Sequence, residues 1–423
     1  MAKKEYSWEL GSKPPIIHTH SLAKHEILRA YLTRYLEVVV CNPKMDRLRL
    51  TLVDGFAGGG LYQHELTKQT VPGSPLIFLE ATLEAEHNIN KNRKKQFLLD
   101  ADYFFVEKEQ SSLDFLKYTL EERGFKNQLS SKIQLVNGEF AEKSDSIINS
   151  IRQKSRKGRS IFLLDQYGYK DVPFPLIFKI FSSLQKAEVI LTFAVDSLID
   201  YLSTSDTSRQ ILKRLGLLET LSDGLINSTK GAGDRRTIIQ SLLSPEIHKA
   251  SGAKYYTPFF ISSRESNKDY WLVHLSMHAQ ARDEMTKLHW ALQNHFRHNG
   301  GAGLNMLGYD PHKDRSITNQ ARFEDFNFDN QARELSIKAL QRDLPALMRG
   351  HPSGIDFQTL LDRTCNTTPA SSDIYREAMS EFIETKELII QSPSGVQRRK
   401  GESIDTKDII QLPPQRTFFF GKK

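Results

Sequence analysis

Leu48-Arg49-Leu50-Thr51-Leu52-Val53-Asp54 is a short β-rich run that ends abruptly in Gly55-Phe56-Ala57-Gly58-Gly59-Gly60. A strand that runs straight into glycines is the entry to a nucleotide-binding α/β unit, because glycine lets the backbone come close to a ligand. A helix after such a loop would add free amides at its positive end. The spacing is not the G-x-G-x-x-G of dinucleotide enzymes, and here an acid closes the strand with Phe56-Ala57 before the later glycines.

Further strand-like runs follow at Tyr103–Val106, Ile133–Val136, Ser160–Leu164 and Glu188–Phe193. Helix-like stretches separate them at Pro75–Asn88, Ser112–Arg123, Ala141–Gln153 and Leu176–Leu184, and this alternation predicts a parallel sheet covered on both faces. Lys254–Ile261 and Tyr270–Leu275 read as an antiparallel pair that extends it, followed by a helix over Ala279–Asn294. The expectation is an α/β fold, Rossmann-like, with a mostly parallel seven-stranded sheet. An amphipathic helix over Ser21–Val40, with Ser21 as N-cap, leads in. Asp196–Thr229 reads as a helical insert over the site, and Gly300–Asn330 as linker.

From Gln331 the rhythm changes: helices at Leu335–Met348, Phe357–Asp362 and Ile374–Thr385 precede β-like Leu388–Ile390, a Ser392–Gly395 turn, basic Arg398-Arg399-Lys400 and Asp408–Ile410. Three helices followed by a β-hairpin is the winged-helix order. The alternative is a small helical domain that only docks. The expected division is a catalytic region over 1–330 and a winged-helix-like nucleic-acid-binding domain over 331–423.

The net charge of +7 and pI near 9.1 suit a polyanionic partner. Basic residues group at Lys91–Lys95, Arg152–Arg159 and Arg398–Lys400, a phosphate track if folding gathers them on one face. No apolar run approaches the roughly eighteen residues of a membrane span, and the N-terminus lacks a secretory pattern, so no membrane and a cytoplasmic location are expected. Cys41 and Cys365 stand alone, which excludes a disulfide framework and a cysteine zinc site; His18, His20 and His25 lack a spaced carboxylate, so no metal is expected.

Asp54 beside the glycine loop suits a ligand that carries a cationic amine and sulfonium rather than a pyrophosphate. Glu107 closes the next strand, where an acid binds ribose hydroxyls, although it follows Asp54 by far more than the usual ~20 residues. An insertion between them is required, and Gly73-Ser74-Pro75 offers its position. Phe56, Ala57, Gly58 and Gly60 complete the ligand loop, with Gly138 and Glu139 at the height of an adenine edge. Asp165-Gln166-Tyr167 places an acceptor and a stacking ring together after an apolar strand, a combination that amino methylation needs: acceptors aim the amine lone pair while a ring holds the base. For Glu107 and Asp165 the alternatives are a surface acid and a plain turn.

The ordered set Asp54-Gly55-Phe56-Ala57-Gly58, Gly73-Ser74-Pro75-Leu76, Phe105-Val106-Glu107, Asp165-x-Tyr167-Gly168, Val273-His274-Leu275-Ser276 and Arg282-x-x-Met285 resembles the three-Cys-motif partner protein family, TcmP. His20-Ser21-x-x-Lys24-His25 with Ile27, Leu28, Tyr31 and Leu32 fits its N-terminus. The resemblance runs from about Trp8 to Leu292. It implies a class I methyltransferase fold, S-adenosylmethionine as cofactor, and a companion protein with three cysteines. The family usually has Asp-Pro-Phe/Tyr-Gly where this chain has Gln166, which removes a rigid turn.

The expected activity is methyl transfer to an exocyclic amino group of a base in RNA or DNA. Asp165, Gln166 and Tyr167 are the catalytic candidates, and Lys24, His25, Tyr375, Arg376, Arg398 and Arg399 the substrate-binding ones. The competing expectation is a catalytically degenerate methyltransferase scaffold that binds nucleic acid beside its companion in a mobile or defence module.

Overall fold

Strands without a polar face have to be covered on both sides, and that requirement organises the first unit of the computed structural model. The structure describes residues 6–91, 93–155, 158–217, 235–263, 268–292, 296–298, 326–327 and 330–414. The chain divides into two compact units, Met1–Arg297 and His298–Lys423.

The first unit opens with β1 (Ile16–Ile17), α1 (Thr19–Val39), β2 (Arg47–Asp54), β3 (Leu61–His64), β4 (Thr70–Pro72) and α2 (Ser74–Lys91). It continues with β5 (Leu98–Glu107), α3 (Gln110–Glu122), β6 (Ile133–Asn137), α4 (Phe140–Lys154), β7 (Arg159–Leu164), α5 (Phe174–Ser183) and β8 (Ala187–Phe193). Then come α6 (Val195–Tyr201), α7 (Asp206–Leu215), α8 (Arg235–Ser251), β9 (Tyr255–Ser263), β10 (Lys268–Ser276), α9 (Ala279–Leu292) and β11 (Phe296–His298).

The central strand order is β6-β5-β2-β7-β8-β10-β9, with β11 beside β9. Pairs from β6 through β8 are parallel, and β10 runs antiparallel to both β8 and β9. The chain first builds outward through β2, β5 and β6, then returns to β2's other side, leaving a switch point at the carboxyl ends of β2, β5 and β7. This is a Rossmann-like, class I methyltransferase-type sheet.

Strand alternation decides what lies on each face. Val53, Phe104, Val106, Phe162, Leu164, Val189 and Leu191 enter one apolar cluster with Ile147 and Ile151 of α4 and Ile177 and Ile180 of α5. Residues of the other parity face α1, whose Tyr31 hydroxyl bonds Glu188 of β8 and His274 of β10. That face also holds Asp54, Glu107 and Asp165, because Asp54 is in register with Phe105 and Leu163, each two residues short of its acid.

The β3–β4 hairpin is the insertion expected before the late-starting helix, and it lengthens the interval to Glu107. Three expectations change. Helix α2 begins at Ser74, where Gly73 N–H donates to Gly60 O at 2.8 Å. Helix α1 starts two residues before the expected Ser21, with His18 at the cap position and its carbonyl accepting from Ser21 N–H. Helices α6 and α7 do not lie over the carboxylates, since Leu198, Ile199, Leu212 and Leu215 join the cluster on the opposite face, and residues 218–229 of the expected insert lie outside the described residues.

In the second unit, α10 (Asn330–Arg349), β12 (Ile355–Asp356), α11 (Phe357–Thr364), α12 (Ser372–Glu384), β13 (Ile389–Gln391) and β14 (Ile409–Gln411) follow in order. The small antiparallel sheet runs β12-β14-β13, the winged-helix arrangement. Asp356 caps α11 by accepting from Thr359 N–H at 2.9 Å. The two-residue β12 has too short a pattern to be read from sequence. The Gly300–Asn330 linker reading falls almost wholly outside the described residues.

Candidate functional site

Asp54 is wholly buried at the end of β2. Its Oδ1 accepts from Phe56 N–H at 3.0 Å, while Oδ2 has no hydrogen-bond partner. Burial pushes its pKa up to about 7, Ser74 and the Phe56 amide pull against that, and the nearby charges of Asp165 and Glu107 add to it. A buried carboxylate with a bare oxygen and two acidic neighbours favours a cation beside it.

Glu107, at the end of β5, accepts from Gly58 N–H through Oε2 and from Glu109 N–H through Oε1, both at 2.9 Å. The loop is thereby tied to this acid, and Ala57 N–H reinforces it by donating to Val106 O. Trp8 and core side chains approach these glycines closely. A Cβ on Gly58 would lie 2.8 Å from the Trp8 ring, and one on Gly59 only 2.3 Å. Trp8 is buried and anchors by donating Nε1–H to Leu61 O at 2.7 Å. Gly60, at φ 77°, makes room for Leu116, and Gly55 for Leu164 and Phe140. The Phe56 side chain packs against the core. After β6, Gly138 N–H donates to Glu107 O, and Glu139 is exposed at the cap position of α4.

Asp165, just beyond β7, receives Lys24 Nζ of α1 on both oxygens, at 2.5 and 2.7 Å. Burial alone would raise its pKa, but the Lys24 charge and hydrogen bonds from Lys24 and Thr192 outweigh this and hold it below the usual carboxylate range. His25 is adjacent: burial lowers its pKa to about 4, the Asp165 charge opposes that, and Nδ1 has no partner. The ring is therefore neutral at pH 7. Lys24, His25, Leu163, Asp165 and Thr192 help to line a cavity of about 10 Å³, about the room one water needs.

Gln166 is buried, and its Oε1 accepts from Asp171 and Val172 N–H, each at 3.1 Å. The turn that loses proline is held by these two bonds instead. Tyr167 is 61% exposed.

The sequence reading missed Tyr62 of β3. Burial raises its hydroxyl pKa well above 10, and Tyr6, Asp165, Asp54 and Glu107 all contribute, which puts Tyr62 among the three acids. Its ring meets Tyr6 and Trp8 edge-on at 5.3 and 5.2 Å and lies 5.8 Å from His25. An aromatic two residues past a glycine run was the available signal.

In the winged-helix unit, the expected surface role of Tyr375 is corrected: it is fully buried, and its hydroxyl pairs with Thr364 because it lies on the apolar face of α12. Arg376 is turned inward, donating to Ile404 O, Ser372 and Asp373. Arg398 makes a two-pronged pair with buried Asp408 at 2.6 and 3.0 Å, whereas Arg399 is exposed. Of the other basic groups, Arg93 bonds the Val40, Asn42 and Met45 carbonyls and Lys154 pairs with Asp102, so both serve the opposite edge of the sheet from Asp54.

Strand order and the carboxylate-lined switch point define the first unit as a class I methyltransferase-type fold. Over residues 308–395 the chain matches the model of the GMT-like wHTH domain family. Solved structures similar to the chain include protein LPL1258 from Legionella pneumophila, at 13% identity and TM-score 0.39, covering 66% of this chain and 94% of that one. A putative rRNA methylase from Clostridium thermocellum aligns at 7% identity and TM-score 0.27, over 62% and 98% of the two chains. The N-terminal domain of human METTL16 in complex with SAH aligns at 12% and TM-score 0.28, over 59% and 70%. No curated protein matches the sequence. Among the described residues no helix is long and apolar enough to cross a membrane.

Proposed function

We propose that residues 1–330 form an S-adenosylmethionine-dependent methyltransferase acting on an exocyclic amino group of a base in RNA or DNA. In this reading residues 331–423 contact the nucleic acid, and the protein works in the cytoplasm. The observation that carries it is the convergence of three strand-end carboxylates on one face, with Asp54 wholly buried between two acidic neighbours.

The residues suit the donor. Asp54 would face its cationic part, Glu107 its ribose hydroxyls, the Phe56, Ala57, Gly58 and Gly60 loop its flank, and Gly138 with Glu139 its adenine. When bound, the donor supplies an electrophilic methyl group. The acceptor side belongs to Asp165 and Tyr167: the carboxylate takes amine hydrogens, so the lone pair points at the methyl, and the exposed ring stacks on the base. For this, Asp165 exchanges its Lys24 bond for the amine, which leaves the ammonium free for a phosphate. Neutral His25 has Nδ1 available for the proton that the methylated amine gives up. Gln166 acts through the turn it holds.

The test is incubation with tritiated donor and separate total RNA and DNA pools. Label enters one pool, and Asp165→Ala reduces it at least ~100-fold. Absence of label, or label indifferent to Asp165, contradicts the reading. If label appears only in preparations co-expressed with a three-Cys-motif protein, that companion is the partner.

A second reading, the degenerate binding scaffold, is favoured by Lys24 neutralising Asp165 and by Trp8 covering Gly58 and Gly59. Donor binding without transfer to either pool would select it.

A further inference from the structure

Helix α12 would be the groove-reading helix of an ordinary winged-helix protein. It buries Ile374, Tyr375, Ala378, Met379 and Phe382, and its exposed positions are Asp373, Glu377, Glu381 and Glu384. Asp373 pairs with Arg376 and Glu377 with Arg333, whereas Glu381 and Glu384 bring carboxylates that a phosphate backbone repels. One flank of the helix is also covered by its own unit. A Cβ on Gly401 would lie 2.0 Å from Arg376 O and 2.3 Å from Ser380 Oγ, so the segment after the basic run lies directly on α12.

A groove with basic residues in its lining lies beyond this helix, past exposed Glu384 and beside exposed Glu387. Lys386 is exposed at φ 60°. With Ile389, Gln397, Arg399, Pro413 and Pro414 it lines this groove of about 780 Å³, which has no carboxylate in its lining. Arg398 also lines it but is committed to Asp408, and so it fixes the wing. Exposed Arg399 and Lys400 carry the charge outward, and Val396, 61% exposed, stands at the wing turn.

We infer that this groove and its wing are the unit's phosphate-binding surface, and that they take the sugar-phosphate backbone of a nucleic acid while α12 faces away. The inference rests on the nucleic-acid reading above and gives it a docking mode. Lys386 and Arg399 pair with phosphates, Gln397 donates to phosphate or sugar oxygens, and the Ile389 and proline surfaces meet the sugar edge.

The experiment is fluorescence anisotropy of the full chain titrated into a labelled DNA duplex and a labelled single-stranded RNA at several salt concentrations. Lys386→Ala/Arg399→Ala is compared with Glu381→Gln/Glu384→Gln, with thermal melts to show that both variants fold. The wing variant should bind at least ~10-fold more weakly, with a duplex salt slope shallower by about 2, and the helix variant should stay within about twofold of wild type. Unchanged binding by the wing variant, or several-fold tighter binding by the helix variant, overturns the docking mode and leaves the nucleic-acid reading standing. If wild-type protein binds neither probe, that reading falls and the inference falls with it.

Discussion

The two edges of the central sheet both carry aspartates, and the sheet treats them in opposite ways. At the amino-terminal edge, Asp100 is paired with Arg47 and Lys132, and Asp102 with Lys154. A hydrogen bond from Lys132 lowers the Asp100 pKa to about 2, against the effect of burial and with help from Arg47. At the carboxyl edge, Asp54 has no cation and is pushed up to about 7. The first arrangement pairs its charges within the protein, and the second leaves room for the cationic ligand proposed above. Asp165 lies between these cases: its cation, Lys24, comes from a helix above the sheet.

The largest effect that sharpens this contrast should come from Asp54→Asn. Calorimetry should show S-adenosylmethionine affinity falling by ~100-fold or more, as expected when a buried charge pair loses one member, while Asp100→Asn leaves it unchanged. Equal losses from both would erase the distinction between the edges.

A smaller effect follows from protonation. Because ionised Asp54 is the binding form, donor affinity should be about tenfold weaker at pH 6 than at pH 8. The folded pKa lies above the unfolded one, so in ligand-free protein the contribution of Asp54 to stability is fully present below the usual carboxylate pKa. It is lost as pH rises through about 7. Unfolding titrations across that window should show this slope, and Asp54→Asn should abolish it.

The smallest effect is at the other edge. Asp100→Asn should lower unfolding stability by about 1 kcal/mol near neutrality, a value kept low because the paired Arg47 and Lys132 are exposed to screening solvent. With its folded pKa depressed, this contribution is present above the normal carboxylate range and lost as pH falls through about 2. Urea titration at two pH values measures it.

What the sequence reveals follows from range. Strand periodicity and the acids that end β2, β5 and β7 are local, so both the fold class and the three carboxylates were legible. The Lys24–Asp165 pair joins residues 141 apart, and only tertiary packing shows that this lysine rests on that acid. The glycines were recognised as a place of close approach, yet the approaching group is Trp8, from a segment with no periodic pattern of its own. The hairpin carrying Tyr62 is two short strands, below the length at which alternation is informative. Tyr375, by contrast, was readable: Ile374, Ala378, Met379 and Phe382 place it on the apolar stripe of its helix, and basic character nearby drew attention away from that stripe.

The most direct test of the central claim, that three strand-end acids surround one donor-and-acceptor site, is a crystal structure with S-adenosylhomocysteine. The account places its ribose on Glu107, its amino group on Asp54 and its sulfur facing Asp165. A ligand bound away from the β2, β5 and β7 ends, or one whose ribose and sulfur leave Glu107 and Asp165 untouched, contradicts it.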